Sequence, residues 1–575
     1  MSRLCSVSLV LVLAVGSGSL YAQNAAPAGS DPATPATVTP LPASSSRPSP
    51  GSFDQVVDRI VEREHFYVAQ MRHMHPMVET YIQNMKTDRD LGAVPVSDHY
   101  FLGRLDLSNG PQDRSFIPPG RLTTRMLQSI TKLYAMDFLP LGFAQMVILD
   151  EDMQKANYNF TFVRREFMGE IRCLVIDVQP KPKTGKGRFI GRIWVEDQDY
   201  NVVRFNGTYA SGNSGYLHFD SWRLNMRPGI WLPAYIYSEE SDMKYKMTQN
   251  LHYKSQTRLW GYDLKNLGKT DEFTSIQVDS PQDVKDQSEA AQDASPAEAQ
   301  RLWERQAEDN AVERLQKIGL LAPAGNVDKV LETVVNNLIV TNNLEIQPEV
   351  RARVLLTTPL ESFTIGHTIV ISKGLLDVLP DEASLAMVLA RELAHIALGH
   401  QLDTRLAFND RMFFSDEDTF SQLGFKRTSK EEAEADQKAL ELLATSPYKD
   451  KLGNAGLFLK ALQKRAPDLK NLISARLGDG MVNGKTLRMS DLLNKAPELD
   501  ERKKDQIAAL PLGGRIRLDP WSNQVELAKT KPVSLLSARE KMPFEVTPVF
   551  PYLTRIPING TERVASTATT NSNAK

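Results

Sequence analysis

The chain has 575 residues, with 68 Lys and Arg against 70 Asp and Glu, for a formal net charge of −2. That balance provides no electrostatic footprint for nucleic acid or for an anionic surface. The length calls for two or three domains, and 2 Cys exclude a disulfide framework.

Taken from the start, residues 1–22 read as a secretory signal: Arg3, the apolar run Leu9–Val15, then small residues and L-Y-A before Gln23. The run is too short to span a bilayer, and Cys5 precedes it, so Cys5 is not placed for lipid attachment. An uncleaved anchor is the alternative. Cleavage leaves Cys173 with no disulfide partner. No later stretch is long and apolar enough to cross a membrane, so the mature chain is expected to be exported, periplasmic or secreted from a bacterial envelope. Residues 23–51 are rich in Pro, Ala and Ser and read as a disordered tether.

Residues 52–279 read as a β-rich domain that opens with a helix over Phe53–Met85. C-L-V-I-D-V (Cys173–Val178), R-F-I-G-R-I-W-V and V-V-R-F-N-G are separated by turn-rich segments, which predicts an antiparallel meander. Trp222, Trp231, Tyr235 and Tyr237 add aromatic strand segments. His65, His73 and His75 are close in sequence, but no Cys or acidic partner has the spacing to complete a metal site with them.

Residues 280–309 read as a linker entering a helix. Asn326–Val340 is amphipathic, with Val327, Val330, Leu331, Val334, Val335 and Leu338 on one stripe. Val354–Leu356 and Thr368–Ser372 read as strands. Asp381–His400 is the helix with most to say. Asp381 caps its start, Gly399 fits its stop, and it is apolar nearly all round, as a buried helix must be. Three polar residues interrupt it, Arg391, Glu392 and His395, and buried charges need partners. Positions 391 and 395 share a face and Glu392 lies beside it. This is the spacing of H-E-x-x-H, where two His hold zinc and the Glu handles the proton of a metal-bound water. Here the motif reads R-E-L-A-H, and Arg offers no lone pair to a cation. A connection over Phe408–Lys426 leads to helices at Thr428–Thr445 and Ala455–Arg465. A strand pair over Arg515–Leu527 lies in an extension over residues 513–558, and residues 559–575 read as a disordered tail.

Four segments, in order, resemble the gluzincin metallopeptidases of the HtpX and CAAX-prenyl-protease type. They are T-P-L-E-S-F-T-I-G-H-T-I-V-I-S-K-G-L-L, A-R-E-L-A-H-I-A-L-G-H, E-A-E-A-D (Glu432–Asp436) and A-P-E-L-D-E-R. They define a metallopeptidase-like domain over residues 310–512. The resemblance implies zinc, with His395 and Glu432 as ligands, Glu392 as the general base and Asp436 orienting a ligand. Two positions depart from it: Arg391 stands in the first ligand slot, and Ala496 stands where the family often has His. Residues 52–279 are similar in pattern to the half-barrel of LolA-like lipoprotein carriers, which implies a lipid or lipoprotein partner there.

A guanidinium ~4 Å from Zn²⁺ repels it by roughly 8 kcal/mol at an effective dielectric of ~20. His400 is five residues beyond His395 and is expected to point off its face. Arg391 is expected to donate to both Glu392 and Glu432 in a metal-free cluster. Ser429-x-x-Glu432 also fits a capping box, in which Glu432 only closes a helix start. The expected fold is α+β and multidomain: a β-rich domain of half-barrel type, then a mainly helical zincin-type domain. The expected function is that of an exported metallopeptidase-family protein acting on or binding envelope polypeptides, its catalysis impaired at Arg391. Two alternatives stay open: a working zinc endopeptidase with a non-standard ligand, and a lipid-binding or scaffold protein acting through residues 52–279.

Overall fold

Pro76 marks the first departure from the expected elements. In the computed structural model the first helix, α1, covers only Phe53–Met71, and β1 begins at Met77. A Pro cannot continue a helix and pushes its predecessor to extended backbone, and the following M-V-E-T-Y-I alternates as a strand does. Ser52 caps α1, accepting from the Gln55 amide at 3.3 Å.

The structure describes residues 49–88, 92–108, 112–116, 144–151, 153–184, 187–209, 216–241, 251–262, 264, 296–400, 424–483, 486–498, 516–518, 525–527, 546 and 548–556. The expected signal, most of the tether, the 408–426 connection except its last three residues, and the 559–575 tail lie outside these residues.

The strands that follow are β2 (Gly92–Asp106), β3 (Gln112–Ser115), β4 (Tyr158–Met168), β5 (Ile171–Pro180), β6 (Phe189–Glu196), β7 (Val202–Tyr209), β8 (Tyr216–Arg227), β9 (Ile230–Ser241) and β10 (Leu251–Trp260). They form one ten-stranded sheet in the order β3-β2-β1-β10-β9-β8-β7-β6-β5-β4. Every adjacent pair is antiparallel, and the two edges, β3 and β4, are not bonded to each other. Period-two alternation divides the side chains between two cores. Val78 and Ile82 of β1 face the core shared with α1, while Met77 and Tyr81 face the core shared with the second half of the chain.

That second half begins with α2 (Pro296–Ile318) and α3 (Asn326–Thr341). A four-stranded sheet follows in the order β11-β13-β12-β14, built from β11 (Arg351–Leu355), β12 (Glu361–Ile365), β13 (Thr368–Ser372) and β14 (Asp479–Gly480). Helices α4 (Glu382–Ala397), α5 (Ser429–Ala444) and α6 (Leu452–Arg465) complete it. The architecture is α+β: a large antiparallel sheet, then a mainly helical region. Ile516–Leu518 and Val525–Leu527 pair as an antiparallel hairpin.

Buried polar groups join the two parts. Glu79 of β1 accepts from the Thr358 amide at 2.6 Å, the Thr358 hydroxyl at 2.8 Å and the Tyr100 hydroxyl at 2.8 Å, and it pairs with Arg258. Asp98 of β2 accepts from the amides of Asn471 and Leu472 at 2.9 and 2.7 Å. Each buried carboxylate has donors from the opposite half, so the orientation of the halves is fixed by bonds that are costly to leave unmade.

Candidate active site

Helix α4 carries the site and is itself held on several sides. Asp381 caps it, accepting from the Ser384 amide at 2.8 Å, and Gly399 takes φ +69° where the chain leaves the helix. It packs against α5, α3, α6 and β12, and Ala383, Ser384 and every residue from Ala386 to His395 are buried. Arg391, Glu392 and His395 are each 1 % exposed.

The structure gives Arg391 one of its two expected partners. Its Nη2 and Nε donate to the same Glu392 oxygen, at 2.8 and 3.2 Å. Nη2 also donates to the Ser362 hydroxyl at 2.9 Å, and Ser362 donates to Glu392 at 2.8 Å. The rest of the guanidinium reaches toward β14 and beyond, to the Gly480 carbonyl at 3.3 Å and the Met481 sulfur at 3.3 Å. Burial works against the Glu392 charge, but the Arg391 guanidinium and the hydrogen bonds from Arg391 and Ser362 outweigh it and hold the carboxyl below its usual range. Burial likewise opposes the charge on Arg391, and Glu392, Asp479 and Asp436 overcome it.

The expected Arg391–Glu432 bond is replaced by another. Arg488 donates to Glu432 at 2.7 Å, and its other nitrogen lies 3.2 Å from Asp436. Glu432 is not a capping residue either. Thr428 is the cap of α5, and the box partner is Glu431, whose carboxylate accepts from the Thr428 amide at 3.0 Å. Glu432 therefore faces inward, 5 % exposed, while Glu431 is only half-buried. Asp436, one turn on, accepts from the Met489 amide at 3.1 Å.

His400 departs from expectation as well. The left-handed Gly399 turns the chain back, and the Nδ1 atoms of His395 and His400 stand 3.0 Å apart. His400 Nε2 lies 3.3 Å from Glu434. With that nitrogen protonated toward Glu434, His400 Nδ1 accepts and His395 Nδ1–H donates, which leaves the lone pair of His395 on Nε2. Burial pushes the His395 pKa down to about 4, so the ring is neutral at ordinary pH.

The donor set does not fit a catalytic zinc, which takes three protein ligands and keeps one open position. The first slot holds a guanidinium. Glu432 is neutralised by Arg488 and Glu392 by Arg391, leaving His395 Nε2 as the one donor of the expected ligand set with no cation already on it. Among the described residues, no group of three His, Cys, Asp or Glu is placed to hold a metal. Ala496 begins the extended segment after a short 3-10 helix and presents its carbonyl to Lys460 at 3.4 Å. His73 and His75 lie in the link between α1 and β1, far along the chain from α4, and His75 pairs with Asp106 at 3.6 Å.

Ser362, Asp479 and Arg488 are the site residues that sequence reasoning missed, and His400 is the one it set aside. Arg488 carried one signal: a buried carboxylate such as Glu432 requires a cation, and no Lys or Arg on its own helix face supplies one.

Against this geometry, the comparisons are specific in one place. The model of Peptidase family M48 matches residues 326–413. That segment contains α3, β11, β12, β13 and α4, and ends before Glu432. No curated protein matches the chain. Among solved structures, the chain is similar to a LolA superfamily protein from Nitrosomonas europaea, at 13% identity over 38% of this chain and 97% of that one, with a TM-score of 0.21. A DUF1329 family protein from Desulfovibrio piger gives 12% identity over 38% and 97%, with a TM-score of 0.20. The MucA/MucB complex of Pseudomonas aeruginosa gives 7% identity over 36% and 93%, with a TM-score of 0.14. The peptidase-family match thus falls within the second half of the chain. No helix among the described residues is long and apolar enough to cross a membrane.

Proposed function

We propose that this is an exported protein whose peptidase-type region has exchanged its metal for arginines, and which binds envelope polypeptides without zinc-dependent cleavage. One observation carries the reading. The two carboxylates that the family resemblance assigns to catalysis and to the metal, Glu392 and Glu432, each accept from a buried guanidinium, at 2.8 and 2.7 Å. A guanidinium supplies the positive charge a carboxylate needs in a dry site, but it cannot polarise a carbonyl or ionise a water as a metal does. What such a site retains is shape: a buried helix packed against β12.

The test is incubation of the full chain with an unfolded protein such as reduced casein, with and without added zinc. Retention of the casein on immobilised protein with no new fragments is the expected result. Fragments that disappear with a chelator would overturn it in favour of a zinc endopeptidase with His395, Glu432 and a non-standard ligand. Lipid co-purifying with the chain, together with no casein retention, would favour the carrier reading.

A further inference from the structure

The sheet face opposite α1 is partly covered by the chain's own C-terminal segment. Val546 and residues 548–556, within V-T-P-V-F-P-Y-L-T-R-I, lie across it. The Val546 amide donates to the Gln83 side chain of β1 at 2.8 Å. The Tyr235 hydroxyl on β9 is hydrogen-bonded to the Val549 backbone. At the turn between β4 and β5, the Glu170 amide donates to the Leu553 carbonyl at 2.9 Å. The Ile556 amide donates to Asn225 of β8 at 2.8 Å, and Arg555 pairs with Glu196 at 2.8 Å while lying over the Trp231 ring.

Val546 and Leu553 join the core on this face, and three features mark the segment as the occupant of a site. First, Gln83 and Asn225 are 0% exposed, yet each presents a side-chain oxygen to a backbone amide of the segment. Buried side chains that read backbone are suited to an extended chain of varied sequence. Second, Gly169 allows a close approach: a Cβ there would stand 2.5 Å from the Leu553 carbonyl oxygen. Third, coverage is thin. Val546 and Leu553 are buried, while Phe550 and Tyr552 remain 65% and 61% exposed. Pro548 and Pro551 keep the backbone extended and present no amide that needs a partner.

We infer that this face is a binding site for extended, Pro-containing apolar polypeptide, filled in the resting chain by Val546 and residues 548–556 and open to a segment of the same chemistry from another polypeptide. The site is separate from α4, and its use does not depend on how the metal question is settled. Occupation in cis sets a threshold, because a tethered segment competes at an effective concentration of about millimolar.

The probe is a fluorophore-labelled peptide with the sequence V-T-P-V-F-P-Y-L-T-R-I, titrated into the full-length chain and into its Leu553→Asp variant. The substitution weakens the internal occupant and leaves the sheet unchanged. The expected result is peptide binding at least ten times tighter in the variant, with no binding of a control peptide carrying Asp in place of its Leu. Equal affinity in both proteins, or no binding in either, overturns the inference. Hydrogen exchange on the unmodified chain gives a second readout and decides alone should the variant not fold. Excess peptide is expected to strip protection from residues 546–556 while the strands keep theirs. Peptide binding that leaves that protection intact places the peptide elsewhere and also overturns the inference.

Discussion

One buried arginine–glutamate pair taken from each half of the molecule, Arg223–Glu64 and Arg391–Glu392, shows two different constructions. Arg223 of β8 meets Glu64 of α1 end-on, one nitrogen to each oxygen, at 2.6 and 2.9 Å, with both side chains 1% exposed. The two residues are 159 positions apart and arrive from different elements, so each side chain is free to face the other squarely. Arg391 and Glu392 are neighbours on one helix, where adjacent side chains diverge. Their pair is correspondingly lopsided. Two guanidinium nitrogens crowd one oxygen, and Arg391 spends its remaining donors on Ser362, a β14 carbonyl and a sulfur. The first pair has the geometry of a structural staple. The second is set by the spacing of a single helix, and its guanidinium completes its bonding on β12 and β14.

The comparison breaks most easily at the staple. Glu64→Gln leaves the Arg223 guanidinium buried without its counter-charge, and urea unfolding should show a loss of about 3–5 kcal/mol. Replacing both residues, as in Glu64→Leu with Arg223→Met, should recover most of that loss. A loss below about 1 kcal/mol for the single change would show that the pair is no staple.

Arg488→Leu comes next. It leaves Glu432 buried without the guanidinium that pairs it, and it should cost about 2–3 kcal/mol on the same assay. An unchanged midpoint would mean that Glu432 had never needed Arg488.

The sharper form of the comparison is a gain of function. Arg391→His alone restores a ligand type but leaves Arg488 on Glu432. Arg391→His combined with Arg488→Leu should bind zinc at least tenfold more tightly than the single variant, a difference of ~1.4 kcal/mol. Equal affinities would remove Arg488 from the account.

The smallest expected effect concerns pH and lies away from both pairs. Burial pushes the Asp328 carboxyl, at the start of α3, up to about 6. An unfolded Asp ionises near ~3.9, so the folded chain holds this proton the more tightly of the two states. The resulting stability is present below pH ~4 and is lost as pH rises through about 6. Asp328→Asn can still accept from the Gly325 amide, and it should flatten that part of a melting-temperature profile. A profile identical to the parent's between pH 4 and 7 would contradict the assignment.

Much of this was legible in the residues. Asp381, Gly399 and an apolar surround are enough to fix α4, and charges inside it announce a site. The meander of β5, β6 and β7 follows from alternation and turn chemistry. Other features depend on information that local patterns do not hold. Pro76 was there to end α1, but helix-compatible residues on both sides masked the change of period. The cap of α5 shifted by one residue because Thr428 and Ser429 are both competent, and only packing selects which carboxylate faces inward. Arg488 lies 56 residues beyond Glu432, so their bond is a product of the tertiary fold. His400 needed the left-handed turn at Gly399, a backbone fact that helical spacing cannot supply.

The central claim is that guanidinium groups stand where a metal would otherwise be held. It is tested most directly by a competition titration of zinc between the purified full-length chain and a chromogenic chelator, beside the Arg391→His, Arg488→Leu double variant. The account predicts no competitive uptake by the parent and about one equivalent by the variant. One tightly held equivalent in the parent would contradict it.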